Sequence, residues 1–253
     1  MRNNCDIIPA MIVLKIILYI VLAYLGLNIL FFLVLGAISL SASKEPIKER
    51  RPIYGKACYW FCAWACFTGR ARIHVTGKEK LPKDTRFVYC GNHRGLFDPL
   101  AATVAFRGYD ISFISKPSNM DLPIIGRLAW GAGYLPIDRE NNRNALKTIS
   151  TAVEYIRKDF CSIGIYPEGT RSKINGMLPF KHGSFKLVQR AKVPLVIASS
   201  KDADLVFENF PWRPTDIYID VLDVLPADKV CSMDTAALSD YAWNLINQNL
   251  YNN

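Results

Sequence analysis

Of the three histidines in this 253-residue chain, one stands where its neighbours could put it to chemical use. His93 lies in "GNHRGLFDPL", with Asp98 five positions on and Pro99 directly after it. On one continuous helix that spacing sets the two side chains about 140° apart, so a regular helix cannot bring them together. A strand end followed by a loop can, and the flanks read that way. "RFVYCG" is apolar and β-rich, Gly91 and Gly95 loosen the turn, and Asp-Pro reads as a helix N-cap with proline in the first helical position. Asp98 thus has two roles open to it. It can cap the helix "PLAATVAF", or it can take the imidazole N–H and leave the other ring nitrogen free to accept a proton. A carboxylate has lone pairs enough for both. No G-x-S-x-G elbow occurs, and no serine or cysteine occupies a comparable strand-to-helix turn, which argues against a covalent acyl-enzyme. A base at position 93 would then act on a hydroxyl or water supplied from outside.

Two further clusters follow apolar, strand-like runs. In "IGIYPEGTRSK", Glu168, Gly169, Thr170 and Arg171 arrive where a strand should end, and open α/β sheets bind ligands at that edge. Gly169 permits close backbone approach, and Arg171 brings a fork suited to phosphate oxygens. In "GYLPIDRE", Asp138 and Arg139 stand in the same relation to another run. Together the three strand ends describe a base beside a phosphate-binding rim. His74 and His182 show no metal-ligand spacing, so no metal is expected.

The elements that must position these residues alternate. From Arg86 to Ser200 short β-rich runs trade places with helical ones, and in "RNALKTISTAVEYIRK" Ala145, Ile149, Ala152, Val153 and Ile156 recur near a 3.6-residue period. "DIYIDVLDVLP" reads as a late strand and "MDTAALSDYAWNLINQNL" as a closing helix. The pattern predicts an α/β fold, a largely parallel mixed sheet flanked by helices, preceded by N-terminal membrane-associated helices.

Ile16 to Leu40 is 25 residues without a charge, about 37 Å as a helix against a bilayer core of about 30 Å. Residues 1–43 are therefore expected to span or insert into a membrane. Residues 44–69 form a basic linker and then an aromatic helix, "ACYWFCAWACF", suited to the membrane interface or to a core. Residues 70–253 form the catalytic domain. Lys44, Lys48, Arg50, Arg51 and Lys56 outnumber Arg2 and Lys15 across the apolar run, which puts that domain on the cytoplasmic side. The seven cysteines lack paired C-x-x-C spacing, as suits reduced thiols. Cys58, Cys62 and Cys66 would line one helix face as packing.

The blocks "NHRGLFD", "GYLPIDR", "YPEGTRS" and "VPLVIAS", with "LPFKHGSFKLVQRA" between the last two, resemble the ordered motifs of the glycerolipid acyltransferases typified by lysophosphatidate acyltransferase. The resemblance covers about Gly77 to Ser200. It implies transfer of an acyl group from acyl-CoA or acyl-acyl carrier protein to the sn-2 hydroxyl of lysophosphatidic acid, with no cofactor. It makes His93 the base and Asp98 its orienting partner. Arg94, Gly95, Lys116, Arg139, Glu168, Gly169, Thr170 and Arg171 would line the substrate site. Gly95 stands where serine is common in the family, Tyr166 where phenylalanine is usual, and Ile197 in place of a frequent second proline. These departures bear on the acceptor more than on the reaction.

The formal charge of +9 suits a phosphorylated lipid, an anionic membrane and an acidic donor. The basic residues are dispersed rather than gathered in one stripe, so nucleic acid is not expected as a partner. Two other readings stay open: an acyltransferase acting on a different lyso-lipid, and a membrane-anchored basic protein without enzymatic activity.

Overall fold

The computed structural model describes residues 7–138, 141–174 and 176–251. Two long helices, α1 (Ile7–Leu40) and α2 (Pro52–Thr68), precede β1 (Ala71–Thr76), β2 (Val88–Gly91), α3 (Phe97–Ala105) and β3 (Ile111–Ser115). Then come α4 (Pro117–Met120), α5 (Ile125–Gly131), β4 (Leu135–Pro136), α6 (Asn142–Arg157) and β5 (Ser162–Ile165). The chain continues through α7 (Lys186–Ala191), β6 (Leu195–Lys201), α8 (Val206–Asn209), β7 (Thr215–Leu225), α9 (Ala227–Ser232) and α10 (Thr235–Tyr251).

The seven strands form one sheet in the order β1-β7-β6-β2-β5-β3-β4. All neighbours are parallel except β6 and β7, so β1 and β7 run against the other five. The central strands are covered on both faces, and their side chains divide with the period of two that a pleat imposes. Val88, Cys90, Leu195 and Ile197 face one core, with Ile149, Ala152, Val153 and Ile156 of α6. Tyr89, Val196 and Ala198 face the other, with Ala101, Ala102 and Ala105 of α3. Each fully buried Leu or Ile here stabilises the fold by about 1.5–3 kcal/mol.

Strand β1 escapes a reading by hydrophobic pattern. Three of its six residues, Arg72, His74 and Thr76, face solvent, as suits an edge strand but dilutes the apolar signal. Helix α1 also begins nine residues before Ile16, because Lys15 interrupts a count of uncharged residues without interrupting a helix.

Helices α1 and α2 run antiparallel. The Trp64 indole N–H donates to Asn28 Oδ1 at 2.8 Å near one end, and Ser41 and Tyr54 share a hydroxyl contact of 3.1 Å near the other. Helix α2 rests on the domain with Cys58, Cys62 and Cys66 buried, and burial pushes the Cys58 and Cys66 thiols up to about 12. They stay protonated and pack as small apolar groups. The end of α2 lies near the start of α3: a Cβ at Gly69 would sit 3.0 Å from Phe97 Cζ. Counting back from Asn28, α1 therefore leaves the domain at the C-terminal ends of the central strands. Its free stretch, Met11 to Leu27, is exposed throughout and about 25 Å long.

Gly164 in β5 makes room for Phe113, whose ring occupies the place a Cβ would take. Gly164→Ala is expected to lower stability by about 1–3 kcal/mol through overpacking, read as a fall in the thermal unfolding midpoint in detergent.

Candidate active site

Three neighbouring strands, β6, β2 and β5, end side by side, and the loops leaving them meet around Asp98. The Asp98 side chain has no solvent exposure. Its Oδ2 accepts the backbone N–H groups of Arg94 and Gly95, both at 2.7 Å, and lies 3.0 Å from His93 Nδ1. Its Oδ1 accepts the Ser200 hydroxyl at 2.8 Å. A carboxylate facing four donors can only accept, so the imidazole proton sits on Nδ1 and leaves Nε2 as the basic nitrogen.

The helix-cap expectation for Asp98 is corrected. Helix α3 starts at Phe97 without a side-chain cap, Asp98 lies in its first turn, and the carboxylate turns back toward the loop that carries His93. Backbone donors of that loop, rather than those of the helix, claim its lone pairs.

The imidazole is 20% exposed. It stacks on Tyr166 with ring centres 4.6 Å apart, and Tyr166 stacks on Phe113 at 5.5 Å. The His93 backbone is held as firmly: its N–H donates to Glu168 Oε1 at 2.6 Å, and its carbonyl accepts the Ser172 N–H at 2.8 Å. Asn92, fully buried, bonds both backbone groups of Ser200 and so ties the end of β2 to that of β6.

The residues expected to line the rim separate into two groups. Glu168 is 3% exposed, and its second oxygen accepts the Leu178 N–H at 2.9 Å, so it braces two loops instead of facing a substrate. Burial raises its pKa, against the lowering effect of those two bonds. The Arg94 guanidinium is committed to Asp204, at 3.0 Å, and to the Tyr251 hydroxyl, at 2.9 Å. Gly95 adds no group to the rim, because a Cβ there would sit 2.7 Å from Ala203 O and 2.8 Å from Asp204 N. A serine at 95 would collide with backbone, which accounts for glycine in this chain. These three positions build the site's frame and do not line it.

Lys116, Thr170 and Arg171 are exposed after β3 and β5, and neither Lys116 nor Arg171 has an ion pair among the described residues. Gly169 adopts φ +77°, and a Cβ there would meet Lys181 Nζ at 2.9 Å. Arg139 lies outside the described residues. Beside His93, a groove of about 490 Å³ is lined by Ile114, Ile137, Ile149, Ile165 and Leu187, with Lys181 at its edge and Tyr166 shared with the histidine. Ser200 had no sequence signal beyond two serines closing an apolar strand, while Asn92 and Tyr166 stood in the quoted blocks without a role of their own.

The chain has counterparts among known proteins. Residues 72–200 match the Acyltransferase family, and the chain belongs to that family of enzymes. A 1-acyl-sn-glycerol-3-phosphate acyltransferase of Haemophilus influenzae is 28% identical over 179 residues, 68% of this chain and 73% of that one. The enzyme of that name from Escherichia coli is 37% identical over 109 residues, 43% of this chain and 44% of its own, so the match spans under half of that relative. The crystal structure of the 1-acyl-sn-glycerophosphate acyltransferase of Thermotoga maritima shares the fold, with a TM-score of 0.64 at 19% identity over 80% of this chain and 82% of that one.

Ser200→Ala leaves a buried carboxylate oxygen short of a donor. It is expected to cost about 1–3 kcal/mol and to lower kcat, with Ser200→Thr restoring both in thermal unfolding and activity measurements. Glu168→Gln sets an amide NH₂ against a backbone N–H, so a destabilisation of similar size is expected, about 1–3 kcal/mol in the same unfolding assay.

Proposed function

We propose that this acyltransferase moves a fatty acyl group from acyl-CoA or acyl-acyl carrier protein to the sn-2 hydroxyl of 1-acyl-sn-glycerol-3-phosphate, giving phosphatidic acid. The observation that carries the reading is the buried Asp98 at 3.0 Å from His93 Nδ1, which leaves Nε2 on the partly exposed side of the ring. The names of the relatives supply the acceptor.

In this mechanism His93 Nε2 takes the proton of the acceptor hydroxyl as its oxygen attacks the thioester carbonyl. The tetrahedral intermediate collapses by breaking the C–S bond. The imidazolium returns the proton to the departing thiolate, so one thioester and one alcohol become one ester and one thiol. Asp98 stabilises the imidazolium in between. No group on the protein is acylated.

The exposed cations Lys116, Arg171 and Lys181 would meet the acceptor's phosphate and the acidic donor. The isoleucine- and leucine-lined part of the groove would hold an acyl chain through dispersion contacts, with Lys181, Ser184 and Lys186 forming its polar part. The free stretch of α1 would cross or enter the bilayer, with the domain on the cytoplasmic side.

Acyl transfer to labelled lysophosphatidate on membranes tests this. His93→Ala is expected to lower kcat roughly 10²- to 10⁴-fold, and Arg171→Ala to raise KM for lysophosphatidate about tenfold with kcat preserved. Full activity of His93→Ala contradicts the mechanism.

A further inference from the structure

Beside the His93 loop lie five large apolar side chains that the described residues leave uncovered. Trp212 is 84% exposed, Phe67 78%, Phe207 64%, Phe210 49% and Leu96 46%. They come from the end of α2, the loop before α3, and the turn that follows β6. Phe97 joins these segments, with its ring 5.5 Å from that of Phe207 and its edge against Gly69. Arg70 links the other side by donating to the carbonyl of Pro211 at 2.6 Å.

The turn is held in place. The Phe210 N–H reaches Val206 O at 3.0 Å, the Arg213 N–H reaches Asn209 O at 2.8 Å, and the Asn209 amide donates to Thr215 Oγ1 at 2.9 Å. Val206, at 1% exposure, anchors it to the core. A fixed backbone thus presents aromatic rings outward, Trp212 most of all, with about half or more of the Phe207 and Phe210 surfaces left uncovered as well.

Large contiguous apolar surface marks a contact, and tryptophan with phenylalanine and flanking arginine is the composition that a water–hydrocarbon boundary favours. The direction of α1 chooses the partner. Its uncovered stretch leaves the domain at this same end of the sheet, so a bilayer around α1 lies over these rings. We propose that Phe67 and the 207–212 turn form a second membrane foot, seated in the headgroup region beside the mouth of the site. The inference rests on reading α1 as a membrane helix. Two points of contact, unlike one, fix the tilt of the domain, so that a lyso-lipid can reach His93 without leaving the bilayer. Arg70 and Arg213 add attraction to anionic lipid.

The test uses the full chain in vesicles of phosphatidylethanolamine and phosphatidylglycerol, brominated near the headgroup end of the acyl chains. The Trp212 signal is the wild-type emission minus that of Trp212→Phe, and it is expected to be strongly quenched. Phe67→Ser combined with Trp212→Ser is expected to raise KM for vesicle-borne lysophosphatidate about tenfold with kcat unchanged. Turnover of a short-chain lysophosphatidate dissolved as monomers should stay at the wild-type rate. An unquenched Trp212 in a wild type that sediments with the vesicles overturns the foot and leaves the α1 reading standing. A wild type that does not sediment with them overturns both. An unquenched Trp212 whose removal changes the mass of the detergent-solubilised particle assigns the patch to a protein contact, which also overturns the foot.

Discussion

A carboxylate with no exposure to water must find its donors within the protein, and Asp98 finds four: an imidazole, two backbone N–H groups and a hydroxyl. Those donors belong to the loop after β2 and the end of β6, so satisfying one charge draws two strand ends together. Glu168 repeats the device from β5, with one oxygen on the His93 N–H and the other on the Leu178 N–H. His93 is held by two buried acids, one acting on its ring and one on its backbone. Neither loop could shift alone without leaving a buried oxygen unpaired, a loss of about 1–3 kcal/mol that loop contacts with solvent would not offset.

The sheet is what allows so small a set of bonds to suffice. Strands β6, β2 and β5 are parallel neighbours, so their C-terminal ends lie at one edge, and residues 75 to 108 positions apart in sequence become hydrogen-bond partners. Packing continues the support below the ring: Gly164 admits Phe113, Phe113 carries Tyr166, and Tyr166 carries His93. The free end of α1, the apolar groove and the exposed cations lie at or beside this same edge. Apolar and cationic surface is therefore gathered on one side of the molecule.

Much of this was legible in the residues. Alternating β-rich and helical runs announced the parallel sheet because each carries its own period, and a histidine five positions before an aspartate excluded a helix and so required a loop. What spacing could not show was direction. Asp98 has the look of a helix cap, but its lone pairs face backward. Arg94 and Glu168 have the look of rim residues, but one pairs with Asp204 and the other with two backbone N–H groups. A residue type declares what it can bond, and only the folded neighbourhood decides which partner wins. Ser200 was silent for the converse reason, since a serine closing an apolar strand is ordinary until a carboxylate is found 2.8 Å away.

The dependence on Asp98 is open to one direct measurement, kcat for acyl transfer by Asp98→Asn set beside its thermal unfolding. Asparagine can keep the geometry: its oxygen accepts the loop N–H groups, its NH₂ faces the Ser200 hydroxyl, and that hydroxyl turns to accept. Only the charge that stabilises the imidazolium is lost. The expected result is an unfolding midpoint close to wild type with kcat reduced roughly 100-fold or more. A variant that folds and transfers acyl groups at the wild-type rate would show that Asp98 holds the loop and takes no part in the chemistry.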